Sequence, residues 1–107
     1  GYQYLAVDPQ GLLYPCHQFV GREEFIMGDV FTGLQRKDLA DRFKNMHLYK
    51  KDGCSRCWAK FFCSGGCHAS AYLYSGALEK PYGPGCVLTK KRLECALYLS
   101  LWKHSLL

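Results

Sequence analysis

The segment Cys54-Ser55-Arg56-Cys57-Trp58-Ala59-Lys60-Phe61-Phe62-Cys63-Ser64-Gly65-Gly66-Cys67 places four cysteines in fourteen residues, spaced C-x2-C-x5-C-x3-C. A C-x2-C pair lets two thiolates reach one metal centre from a tight turn, and the spacing occurs in zinc and iron–sulfur sites alike. One tetrahedral zinc would use all four, leaving Cys16 and Cys86, the latter after an 18-residue gap, without a role. Cys63 and Cys67 would share a face of a regular helix, but Gly65 and Gly66 between them disfavour helix and permit a sharp reversal. The two thiols are then free to face different directions, and the block can serve two centres, with Cys86 completing one and Cys16 contributing to the other. Cys86 falls near the start of a C-terminal helix, where the helix dipole favours the negative charge of a thiolate-ligated cluster.

Outward from this block, the chain has 107 residues and reads as one domain. Hydrophobic residues make up 49% and charged residues 21%, which excludes a disordered polar chain. No apolar run approaches the ~18–20 residues of a membrane span, and no basic start precedes an apolar signal region. A soluble, cytoplasmic protein without a membrane partner is expected. The seven cysteines are an odd number, so complete disulfide pairing within the chain is impossible and metal ligation competes with it. The net charge of +5 is scattered apart from Lys90-Lys91-Arg92, so charge does not point to nucleic acid. The chain opens at Gly1 directly into the strand-like alternation Tyr2-Gln3-Tyr4-Leu5-Ala6-Val7, and is expected to be a piece of a longer protein.

The fold class expected is α+β. Tyr2 to Val7, the turn Asp8-Pro9-Gln10-Gly11 and Leu12 to Cys16 read as a β-hairpin, with Cys16 at the exit of its second strand. Phe25-Ile26-Met27 and Val30-Phe31 are apolar anchors in a looser stretch with room for one more short strand. Leu39, Phe43 and Met46 recur at helical spacing, predicting an amphipathic helix from about Lys37 to Tyr49 with Asp38 as cap and Asp52-Gly53 after it. Ala69 to Tyr74 reads as a short helix stopped by Gly76, and Lys80-Pro81-Tyr82-Gly83-Pro84-Gly85 as a loop. Cys86 to about His104 reads as a long C-terminal helix, with Leu88, Cys95, Leu99 and Trp102 on one face.

These residues resemble a SPASM domain, the C-terminal auxiliary-cluster module of peptide-modifying radical S-adenosylmethionine (radical SAM) enzymes. The family pattern is C-x9–15-G-x4-C, then C-x2-C-x5-C-x3-C, then a final C. Gly11-x4-Cys16, the block Cys54, Cys57, Cys63 and Cys67, and Cys86 match it, over nearly the whole chain. Tyr4-Leu5-Ala6-Val7, Tyr14-Pro15-Cys16-His17-Gln18-Phe19-Val20-Gly21, Cys63-Ser64-Gly65-Gly66-Cys67 and Lys90-Lys91-Arg92-Leu93-Glu94-Cys95-Ala96 look more closely like the thioether-forming maturases of six-cysteine SCIFF peptides. The equivalent domain of anaerobic sulfatase maturases is the nearest alternative within the family.

The resemblance implies that Cys54, Cys57, Cys63 and Cys86 ligate a second auxiliary [4Fe-4S] cluster, and that Cys16 and Cys67 belong to a first. The opening cysteine of the pattern is absent, so the first cluster needs an upstream residue. The CxxxCxxC motif for the catalytic cluster and S-adenosylmethionine is absent too, so no catalytic residue is expected here and this segment should not be an enzyme alone. The implied partners are a ribosomally made, cysteine-rich precursor peptide and a radical SAM catalytic domain. The implied role is electron transfer or ligation of a substrate thiol at iron during cysteine thioether crosslinking.

Other readings compete. Zinc can occupy the same thiolates, either as a substitute for iron or in a zinc-stapled, non-redox binding module. For Cys16 the competing reading is a surface thiol, and Cys95 is expected to be a buried structural cysteine. His17 and His68 each follow a ligand candidate and could donate to a cluster sulfur, or serve only as surface or packing groups. Trp58, Phe61 and Phe62 would exclude water from a cluster or simply pack a core. Lys60 and Arg56 would offset cluster charge or face solvent.

Overall fold

The Asp8-Pro9-Gln10-Gly11 turn is closed by the Asp8 carboxylate. Its Oδ1 accepts from the N–H groups of Gln10 at 3.0 Å and Leu12 at 2.9 Å, while Gly11, at φ +85°, donates to the Asp8 carbonyl at 2.9 Å. This is the local chemistry of an Asx turn, in which a short carboxylate imitates a backbone acceptor. In the computed structural model, which describes residues 2–105, the turn joins strands β1 (Ala6–Val7) and β2 (Leu12–Tyr14) as the expected N-terminal hairpin. The strands are shorter than the alternation predicts. Ala6 pairs with Tyr14, so Leu5 would fall opposite Pro15, which has no N–H to continue the ladder.

A second hairpin follows, where only one further strand was expected. Strands β3 (Gly28–Asp29) and β4 (Gly33–Leu34) extend the sheet in the antiparallel order β1-β2-β3-β4, with Leu13 opposite Gly28 and Asp29 opposite Gly33. Asp29 closes its turn with both carboxylate oxygens, accepting from the N–H groups of Phe31 and Thr32 at 2.8 Å and from the Thr32 hydroxyl at 2.6 Å. Helix α1 (Lys37–Asn45) then lays Leu39, Phe43 and the following Met46 into the core, the face read from the sequence. The helix stops one turn short of the predicted Tyr49, because the apolar stripe ends at Met46 and Tyr49 is 58% exposed. Asp38 is not its cap: the preceding Arg36 is, and the Asp38 carboxylate holds the Arg36 guanidinium at 2.8 Å instead.

Backbone contacts divide the chain into two compact units, Gly1–Met46 and His47–Leu107. The first unit is organised around Phe19, Phe25 and Phe43. Phe19 lies 4.1 Å from Phe25 between ring centroids, and Phe43 packs edge-on against Phe19 at 5.7 Å. Met27, Leu39, Leu13 and Tyr14 complete this buried set.

The second unit is helical. Two short 3-10 turns, Leu48–Lys50 and Cys54–Arg56, lead into α2 (Lys60–Cys63), α3 (His68–Ser75) and α4 (Gly83–Ser105). Gly76, at φ +83°, ends α3 where the sequence placed its stop. The long helix α4 starts inside the segment expected to be a loop, since Gly83, Pro84 and Gly85 form its first turn. Proline is tolerated there because its missing N–H would have had no helical acceptor. No described side chain of α4 is buried. Leu88, Leu99, Trp102 and Cys95 are exposed, so the expectation that Cys95 is a buried packing residue does not hold. Among the described residues, no helix is long and apolar enough to cross a membrane.

Candidate functional site

The cysteine block folds as a series of tight turns, each with an identifiable cause. Gly53, at φ +74°, reverses the chain into the 3-10 turn that carries Cys54, and the Cys57 N–H closes this turn on the Cys54 carbonyl at 3.1 Å. Helix α2 brings Cys63 round after one turn, its N–H donating to the Ala59 carbonyl at 2.9 Å. Three consecutive left-handed residues then turn the chain back: Ser64 at φ 58°, Gly65 at φ +94° and Gly66 at φ +73°. Cys67 follows as the N-cap of α3, its Sγ accepting the Ser70 N–H at 3.4 Å. The glycine pair therefore does what its composition predicts, separating Cys63 and Cys67 onto two helices.

Despite that separation, the thiol-bearing residues converge. Cys54, Cys57, Cys63, Cys67 and Cys86 all line one cavity of about 200 Å³ within the second unit. By comparison, one water needs only about 10–15 Å³. Ala59, Gly65, Gly66 and Gly85 share the lining, and their small size keeps the space open. At Gly66 a Cβ would sit 4.0 Å from the Cys63 sulfur. Cys86 enters from the first turn of α4, its N–H on the Tyr82 carbonyl at 3.1 Å, so its sulfur sits at the positive end of a helix dipole as expected. Cys54, Cys57, Cys63 and Cys86 are partly covered, whereas Cys67 is exposed. Cys16 belongs to the first unit, at the exit of β2, where it precedes the 3-10 turn His17–Phe19.

Among the described residues, no three His, Cys, Asp or Glu side chains stand close enough to grip a single metal ion. Zn–S bonds of ~2.3 Å would need tetrahedral sulfurs about 3.8 Å apart.

The electrostatics follow from that crowding. Burial pushes the Cys54 thiol up, the neighbouring Cys86, Cys57 and Cys63 add to the rise, and Lys51 opposes it. Lys51 itself is 3% exposed, and its Nζ donates to the Gly65 carbonyl at 2.9 Å. Burial lowers its pKa, while the thiols of Cys54, Cys67, Cys63 and Cys86 raise it. Burial, then the charge of Lys51, hold His68 down at about 4, so it is a neutral imidazole at pH 7.

The other candidates divide. Lys60 lines the cavity with its Nζ on the Ser55 carbonyl at 2.9 Å, and Lys90 joins it from α4, whereas Arg56 and His17 are exposed. Trp58, Phe61 and Phe62 are 53%, 72% and 70% exposed and are not part of the cavity wall, so within this chain they do not exclude water from it. Lys51 was not found from sequence, since in Lys50-Lys51-Asp52 it reads like any solvated charge. Its one signal is a position three residues before Cys54. No family model matches the chain, and no curated protein matches it.

Proposed function

We propose that the chain is an iron–sulfur module, in which Cys54, Cys57, Cys63 and Cys86 ligate a [4Fe-4S] cluster. The observation that carries this reading is the gathering of five cysteines, Cys54, Cys57, Cys63, Cys67 and Cys86, on the lining of one cavity of about 200 Å³. Five cysteines exceed the four that one tetrahedral zinc takes, and a cavity that would hold many waters has room for a polynuclear core. Cys67 differs from the other four in being exposed, with its sulfur accepting the Ser70 N–H at the start of α3, and it is the resemblance alone that assigns it, with Cys16, to a first cluster completed by a cysteine elsewhere.

The resemblance to SPASM domains supplies the finer reading. It makes this the auxiliary-cluster module of a radical SAM peptide maturase, acting with a radical SAM domain on a cysteine-rich precursor peptide to form thioether crosslinks. Such a cluster accepts an electron or binds a thiolate, since coordination deprotonates and fixes a thiol. A reducing cytoplasm, which keeps thiols free for ligation, fits this role.

Iron, zinc and acid-labile sulfide should be measured per chain after anaerobic reconstitution, beside the same assay on Cys57→Ala. About four irons and four sulfides, depleted in the variant, are expected. One zinc without sulfide under iron-replete, reducing conditions would replace this reading with the zinc-stapled binding module.

A further inference from the structure

Lys51 is a charged residue buried among the described residues, and the contacts around it do not account for that burial. Among the described residues no carboxylate pairs with it. Its hydrogen-bond partner is the neutral carbonyl of Gly65. Burying an ammonium costs several kcal/mol unless an opposite charge offsets it. The groups that would act on it as opposite charges, once deprotonated, are four of the cavity cysteines, Cys54, Cys67, Cys63 and Cys86.

The backbone is shaped to admit this side chain. Gly65 is buried at φ +94°, and a Cβ there would stand 3.2 Å from Lys51 Cδ and 3.4 Å from Leu48 Cα. The missing side chain at Gly65 is thus the space in which the lysine stem lies, on the reversal that joins Cys63 to Cys67. Lys51 is not itself on the cavity lining, whereas Gly65, whose carbonyl it holds, is.

We infer that Lys51 is the fixed counter-charge of the bound cluster, a positioning residue that favours its reduced state. The inference rests on the iron–sulfur reading above. One-electron reduction adds a negative charge to a thiolate-ligated cluster that is already anionic, with no bond broken and no proton required. A nearby buried cation stabilises the reduced form more than the oxidised form, and so raises the potential.

The test compares the reconstituted chain with Lys51→Met, Lys51→Gln and Lys51→Arg, reading iron and sulfide content, the electron paramagnetic resonance signal of the reduced cluster, and the midpoint potential in a mediated electrochemical titration. The electrode supplies the electron. Methionine keeps the stem and removes the charge, and glutamine keeps a donor for the Gly65 carbonyl. Both neutral variants are expected to reduce about tenfold less favourably, a shift of ~59 mV to lower potential for one electron, and arginine is expected to stay near wild type. If neither neutral variant takes up iron while arginine does, the charge serves cluster assembly and not the balance between oxidised and reduced states, and the inference is overturned. Loaded neutral variants with an unmoved potential overturn it and leave the iron–sulfur reading intact. Failure of arginine together with the neutral variants means that shape alone is needed, and overturns it too. A wild-type chain without iron and sulfide removes the reading and the inference together.

Discussion

At Gly28 a Cβ would stand 2.0 Å from the Gly33 carbonyl oxygen, on a backbone at φ +147°. Backbone cannot move aside as a side chain can, so Gly28→Ala is expected to cost more than ~3 kcal/mol, read as a lower urea midpoint. Gly65→Ala meets Lys51 Cδ at 3.2 Å, the flexible part of a side chain. It should cost less, about 1–3 kcal/mol for the left-handed backbone, and should displace the lysine as well. A Gly65→Ala chain as stable as wild type would contradict the packing of Lys51 in that space. The two glycines differ in legibility. Gly65 was readable because it sits beside another glycine between two cysteines. Gly28 was not, because its need arises from a neighbouring strand that the sequence did not place.

Among the elements, α1 was legible because Leu39, Phe43 and Met46 follow one helical face and all three are buried. Phe43 packs against both Phe19 and Phe25, so Phe43→Ala should cost ~3–5 kcal/mol in a chemical-denaturation curve. The element boundaries were not legible, and prolines explain two of them. Pro15 ends the first hairpin early for want of an N–H, while Pro84 enters a helix turn where none is needed. The β3–β4 turn was hidden because its signal is one carboxylate. The Asp29 carboxyl is held below its ordinary 3.8, first by the Thr32 hydroxyl, then by the N–H groups of Thr32 and Phe31. A lowered carboxyl pKa stabilises the fold above the unfolded value, and that stability is lost as pH falls through the folded value. Asp29→Ala should therefore melt below wild type at neutral pH, with the gap narrowing as the pH falls below the carboxyl's ordinary 3.8. A gap that does not change with pH would mean that the carboxylate charge contributes nothing to the turn.

For the whole molecule, the two units differ in what they bury. The first holds Phe19, Phe25, Phe43, Met27 and Leu39, whereas the buried apolar residues described in the second are Ala59, Ala69, Ala71 and Leu78. Cores this small rarely supply more than ~3–5 kcal/mol without a metal or disulfide. Under the proposed function, hydrogen exchange on the metal-free chain should leave amides of the first unit protected and expose those around Cys54 to Cys67, with protection restored on anaerobic reconstitution. Equal protection in both states would count against a cluster as the organiser of the second unit. The spacing of the cysteines was legible because ligand geometry is local, but the thinness of the core around them was not, since it depends on which helix faces are covered. The alanine-rich interior also has a thermal consequence. Heat capacity of unfolding follows the apolar surface newly exposed to water, typically ~12–15 cal/mol/K per residue. The metal-free second unit has little such surface to expose, so its stability should vary only gently with temperature, and its calorimetric transition should be broad and weak beside the sharp melting of the phenylalanine-cored unit.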